Sequence, residues 1–527
     1  FNSQAAKHFH CYCLGTLSSA DDMDAQDMAK LGSARAVAIS ASIIATQLVQ
    51  MIPFGAGILA SSIIARDLNS PNKTSWIAAS YPLTQGAFVL IGGRIGSIYG
   101  HKNVLVAACL WWSIFSLGSG FSRNIVTLIA LRALTGVGGA FMVPNAISLL
   151  TINFPPGRLR NLSVGFFGAM APIGASIGCV FAGLLAQLTP WKYMFFGFTI
   201  MGALVAALVV LVVPGETEPL DKHGRVDYIG CYLGVAGLIL FNFVWNQAPF
   251  VGWQEPYEYA LLIAAVAHLA AFILWEARFA ADPILPLDIW TAKSISPMLL
   301  ASFISFMAVG ILVWYCNTWN VNLRGYSTLL CAATFVPLAI GGTTAAIVSG
   351  LVVPLLDAQY ILVIGSACTM IACILAATMP DKQSYWPQMF PAITILSYGP
   401  DFLFAASQII ASNTVKKHQQ GIAGSLIGTL VAYGQSTGIG FAGTVEAYTN
   451  NHGANIGDGY RHALYLGIGL AGLSIIIAII FIRIPKDTHD GWGDEELTVM
   501  GDLSDQSEQN KADESLDSQN KQLQQQE

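Results

Sequence analysis

Residues 191–213 read WKYMFFGFTIMGALVAALVVLVV. After Lys192 no charged side chain interrupts the run. A helix rises about 1.5 Å per residue, so such a run crosses a hydrocarbon core of about 30 Å. Working outward in both directions, comparable runs fall near 37–63, 76–98, 103–121, 125–150, 162–186, 228–247, 257–277, 296–318, 328–352, 358–378, 386–411, 420–444 and 462–483. With 191–213 that makes fourteen. Lipid cannot hydrogen-bond unpaired backbone groups, so these runs predict helices rather than open sheets or loops.

The composition points the same way. Of 527 residues, 54% are hydrophobic and 11% charged, whereas a soluble domain carries about 25% charge. That excludes a soluble enzyme. The net charge of −6 excludes a polycationic nucleic-acid surface. Cys11 and Cys13 lie in the N-terminal stretch; the other seven cysteines lie in apolar runs, with no CxxC and no accompanying histidine spacing. They read as small apolar side chains, not as a disulfide or metal framework.

The balance of Lys and Arg orients the chain. With both ends cytoplasmic, fourteen basic residues flank the inner ends, among them Arg94, Lys102, Arg158, Lys222, Arg278 and Arg483. Seven flank the outer ends. That asymmetry follows the positive-inside rule. The polar, Gln-rich stretch 485–527 has no apolar period and reads as a disordered cytoplasmic tail.

The fifth run carries Gly165, Gly168, Gly174, Gly178 and Gly183; the thirteenth carries Gly424, Gly428, Gly434, Gly438 and Gly440. With the seventh and eighth runs set aside, each is the fifth helix of a set of six. Small residues three or four apart let helix backbones approach closely. The expected organisation is a cytoplasmic tail (1–35), a six-helix half (36–213), a linker with an inserted helix pair (214–294), a second six-helix half (295–484) and the polar tail.

Three motifs carry a resemblance. Gly93-Arg-Ile-Gly-Ser-Ile-Tyr-Gly-His-Lys102 resembles the cytoplasmic loop signature of the major facilitator superfamily. Arg132-Ala-Leu-Thr-Gly-Val-Gly138 resembles its fourth-span signature, and Gly168-Ala-Met-Ala-Pro-Ile-Gly174 the antiporter signature of the fifth. The fourteen runs, with Gly139-Ala-Phe-Met-Val-Pro-Asn145 and Trp275-Glu-Ala-Arg278, are similar to the drug:proton antiporter branch and its fungal aminotriazole-resistance-like group. The resemblance implies an all-α major facilitator fold, a lipid-embedded monomer in the plasma or vacuolar membrane, and a secondary transporter exchanging a small-molecule substrate for protons. The signature acid of the loop is Ser97 here, and the signature Gln of the fourth span is Thr135.

The candidate residues follow. In the loop, Gly96 and Gly100 permit a tight turn; Gly93, Arg94, His101 and Lys102 complete the motif, its cations suited to carboxylates or helix C-termini. Arg132 is the basic residue well inside a run, so it must face the bundle interior or a wet cavity. Its partners are either other polar groups, in a coupling role, or backbone carbonyls. Asp401, in Gly399-Pro400-Asp401, is the acid deep in a run; desolvation makes it a candidate proton carrier, and a capped kink is the structural alternative. Gly168, Pro172 and Gly174 form a loosened helix expected at the interface between halves. Gln47, Gln50, Gln85, Asn145 and Asn317 are candidate cavity residues suited to a neutral or weakly basic solute. The functional expectation is export of small, largely apolar organic molecules; the alternative is a facilitator or importer of a small polar solute such as an ammonium- or borate-like species. HExxH, GxSxG and GxxxxGK[ST] are absent, so no enzyme and no cofactor is expected.

Overall fold

The computed structural model describes residues 33–483 except 155–157, 216–218, 220, 223, 286–288, 291–293, 353–354, 415–419 and 451–452. Both tails, Cys11 and Cys13 lie outside the described residues. Within them the chain is helical: α1 Ser33–Asp67, α2 Thr74–Tyr99, α3 His101–Gly120, α4 Ile125–Asn153, α5 Arg158–Leu188, α6 Lys192–Val212, α7 Tyr228–Val251, α8 Pro256–Arg278, α9 Ile295–Asn322, α10 Thr328–Thr334, α11 Val336–Val352, α12 Ala358–Ala377, α13 Met389–Leu396, α14 Tyr398–Thr414, α15 Gln420–Thr449 and α16 Ile456–Phe481. The seven described cysteines are all free thiols.

Among the described residues, twelve helical segments are long and apolar enough to cross a membrane. Two of them are broken: α10 and α11 share one, α13 and α14 another. The expected runs at 76–98 and 420–444 do form helices, α2 of 26 residues and α15 of 30, but neither is among the twelve. Both are rich in glycine, serine and threonine, which let them lie close against one another and lower their mean hydropathy. At the other extreme, 89% of the apolar window of α9 is buried but 11% of that of α8, which leaves the α7–α8 pair at the periphery.

The glycine runs sit at equivalent contacts. A Cβ at Gly178 would run into the Ile52 carbonyl of α1, and one at Gly174 would stand 2.6 Å from the Leu48 carbonyl. Likewise a Cβ at Gly438 of α15 would strike the Met307 carbonyl of α9. So α5 lies on α1 as α15 lies on α9. Two seams join the early and late helices. In one, α2 meets α15: a Cβ at Gly86 would stand 2.6 Å from the Tyr433 backbone, and Ser436 donates to the Ala79 carbonyl at 3.2 Å. In the other, α5 meets α10 and α11.

Helix α7 covers the first seam. Asn242 donates to Thr437 Oγ1 at 2.8 Å, Tyr433 donates to the Leu238 carbonyl at 2.7 Å, and Trp245 stacks on Phe441 with ring centroids 3.8 Å apart. On the α2 side, Trp76 donates to Gln247 at 3.0 Å.

The α5 glycines are therefore unequal. Gly178→Ala should destabilise the protein by about 1–3 kcal/mol through overpacking against backbone. Gly165 has open space where its Cβ would be. Gly165→Ala should be neutral or stabilising by up to about 1 kcal/mol. Thermal unfolding of the two variants in micelles checks this; equal losses would contradict the α1–α5 packing.

Candidate functional site

The α2–α3 turn is built as its sequence suggests. Gly100 takes φ 92°, a left-handed value open to glycine without a Cβ penalty, and its N–H closes on the Gly96 carbonyl at 2.9 Å. A Cβ at Gly96 would overlap Asn145 Oδ1. That oxygen meets His101 Nδ1 at 2.8 Å, while Asn145 Nδ2 donates to the Gly92 and Phe141 carbonyls at 3.0 and 2.7 Å. Asn145 is thus a fastener between α4 and the turn. Both ends of its carboxamide are engaged, by His101 and by the two backbone carbonyls.

The two cations of the turn find different partners. Lys102 donates to the Val213 and Val210 carbonyls at 2.5 and 3.2 Å, at the C-terminal end of α6 where the helix dipole favours a cation. Arg94 pairs with Asp221 at 2.8 Å, and the Asp221 N–H donates to the Ser97 carbonyl at 3.0 Å. The acid that the loop lacks at Ser97 arrives from the linker after α6. Sequence reasoning missed Asp221; its signal was an acid in the longest polar break of the first half.

Arg132 is 2% exposed. Its Nε donates to the Ile77 carbonyl of α2 at 2.8 Å and its Nη2 to the Pro53 carbonyl of α1 at 3.1 Å. Of the two partner classes left open by the sequence, the geometry has backbone carbonyls. Both carbonyls belong to helices that carry an internal proline, Pro53 in α1 and Pro82 in α2. Gly57 makes room for the guanidinium, since a Cβ there would collide with Nη2.

Three of the candidate amides form a chain. Gln85 Nε2 donates to Gln50 Oε1 at 2.6 Å, and Gln50 Nε2 to Gln47 Oε1 at 2.8 Å. Tyr81 donates to the Gln50 carbonyl at 2.6 Å and accepts from Trp112 at 3.3 Å. Asn317 stands apart from them, on α9, donating to the Ile58 carbonyl of α1 at 3.1 Å. Glu446 accepts from Tyr315 at 2.7 Å.

Asp401 lies in the first turn of α14, just after the break that separates α14 from α13. Pro400 suits that first turn because its missing N–H is not needed there. Asp401 Oδ2 is buried with no hydrogen-bond partner. A Cβ at Gly342 of α11 would stand 3.9 Å from that oxygen and 2.5 Å from Pro172 Cγ of α5. The structure thus brings Asp401 and Pro172 together beside Gly342, where both broken segments meet α5. Nearby, Gly168 faces the Phe404 ring of α14.

Arg132 and Asp221 should respond differently to mutation. Arg132→Met removes two buried hydrogen bonds from a charged donor and should cost about 2–4 kcal/mol. Arg94 and Asp221 keep 22% and 40% of their side-chain surface exposed, so Asp221→Asn should cost less than about 1 kcal/mol. Unfolding midpoints of the two variants test the ranking, and an inverted order would refute it.

Comparison with known proteins agrees with this geometry. The Major Facilitator Superfamily model matches residues 42–439. The low affinity ammonium transporter of Saccharomyces cerevisiae is 38% identical over 447 residues, covering 82% of this chain and 86% of that protein. The aminotriazole resistance protein of the same yeast is 37% identical over 417 residues, covering 78% and 77%. The crystal structure of the human organic anion transporter MFSD10 (TETRAN) superposes with a TM-score of 0.57 at 12% identity, over 84% of this chain and 99% of that one. The broken and unbroken helices, the loop motif and these relatives converge: the chain belongs to the Major Facilitator Superfamily and is a multi-pass membrane transporter.

Proposed function

We propose that the protein exports small, largely apolar organic molecules in exchange for protons, by rocking of two six-helix halves (36–213 and 295–484) about a midplane site. On this reading α2 and α15 also cross the membrane, which makes fourteen spans with both termini cytoplasmic, in a fungal plasma membrane. The α7–α8 pair is the insertion between the halves. The observation that carries the coupling is Asp401. Its buried, unpartnered carboxylate oxygen lies beside Gly342 and Pro172, at the meeting of α5, α11 and α14. An ionisable group inside a membrane is costly and marks a pathway by default. A carboxyl there binds a proton when facing one side and yields it when facing the other. Arg132, held by carbonyls, serves as a fixed cation that positions α1, α2 and α4.

The aminotriazole-resistance relative supports export; the ammonium-transporter relative supports a second reading, facilitated passage of a small polar solute. Purified protein in vesicles separates them. Under export, an imposed pH gradient drives labelled aminotriazole at least tenfold above its gradient-free rate. Asp401→Asn abolishes that drive while solute exchange without a gradient persists. Methylammonium flux indifferent to the gradient and to Asp401→Asn would instead favour the facilitator.

A further inference from the structure

A cleft of about 370 Å³ opens where α1 and α5 end and α9 turns into α10. That volume falls in the range of small-molecule sites. Leu59, Ile63, Ala186 and Val321 give it apolar walls; Arg66 and Gln187, both exposed, give it polar ones. Gln187 also accepts the Leu329 N–H at 3.1 Å, tying α5 to the start of α10. The walls therefore come from helices on both sides of the α5–α10 seam.

Asn317 lies beneath this cleft. It precedes Val321 by four residues, so the two share one face of α9 with Asn317 a turn deeper. Its Nδ2 donates to the carbonyl of Ile58, the neighbour of Leu59. Asn317 is 1% exposed and Ile58 fully buried, so this bond is shielded from water. Asn317 Oδ1 is buried and has no partner. A carboxamide normally uses both ends when buried, as Asn145 does. Here one end holds α1 to α9 and the other faces no donor.

We propose that this cleft is a solute-binding vestibule of the transport route and that Asn317 is its recognition residue, its Oδ1 accepting an N–H or O–H of the solute as α1 and α9 part. The assignment rests on the transport reading and narrows its substrates to compact molecules with an apolar body and at least one hydrogen-bond donor.

The test reads occupancy rather than flux. Val321→Cys is placed in a cysteine-free background of the full chain, and its labelling by a polar maleimide is timed with and without two probes. Aminotriazole carries N–H donors; 1-methyl-1,2,4-triazole carries none. Aminotriazole should slow labelling at least threefold, and at about one-tenth the concentration the methyl compound needs. Adding Asn317→Leu should bring the two probes to the same concentration, an effect that general loosening of the fold would not produce. Adding Leu59→Trp, which fills the cleft, should remove protection by both. Labelling that aminotriazole does not slow, or a preference that survives Asn317→Leu, overturns the assignment whatever the flux. Protection in vesicles that show no flux would uphold the site and count against the transport reading instead.

Discussion

Lipid offers no hydrogen bond, and the organisation of this protein depends on that fact more than on any one contact. A cation at mid-span costs about 2.5–3.5 kcal/mol even on a lenient insertion scale. Arg132 meets the cost by taking carbonyls from two neighbouring helices. One side chain of α4 thereby fixes α1 and α2 around itself, and Gly57 is the space it requires. The amide chain from Gln85 through Gln50 to Gln47 applies the same economy between the same first two helices.

Where pairing is the rule, an unpaired atom carries information. Asp401 Oδ2 and Asn317 Oδ1 are both buried without donors, and both stand where an early helix meets a late one. Asp401 faces α11 beside Pro172 of α5; Asn317 crosses from α9 to α1. Neither lies in a lipid-facing stripe. On the proposed alternating access, a form that strands polar atoms at such junctions would be under less pressure to keep them closed than one that satisfies them.

Much of this was legible in the sequence because membrane physics is blunt. Apolar length announced the helices, and small residues announced their close contacts: Gly174 and Gly178 lie on α1 as Gly438 lies on α9. The tight turn at Gly96 and Gly100 was written in its glycines. Hydropathy was least informative for α2 and α15, since a helix surrounded by protein need not be greasy. Partners were harder still. Nothing in the motif says that Asn145 bonds His101, because the two are brought together by the crossing of α2, α3 and α4. Nor does the loop signature say that Asp221 replaces its missing acid; that depends on how the linker folds back after α6.

The linker and the pair it leads into are attached unevenly. Asp221 holds the turn between α2 and α3, while α7 bonds α15 through Asn242 and Tyr433 and stacks on it through Trp245. Against α2, the side-chain hydrogen bond from α7 is the one between Trp76 and Gln247. The ion pair is part-exposed and open to water and salt, so it separates at small cost. The contacts to α15 are buried, and breaking them would strand polar atoms away from any other donor or acceptor. If the α2–α15 seam slides, α7 therefore goes with α15, and the Trp76–Gln247 bond and the Arg94–Asp221 pair are connections that must stretch or part. On the proposed rocking of two halves, the α7–α8 pair would be fastened to one side of the boundary and only leashed to the other, and would ride on the late helices without blocking their motion.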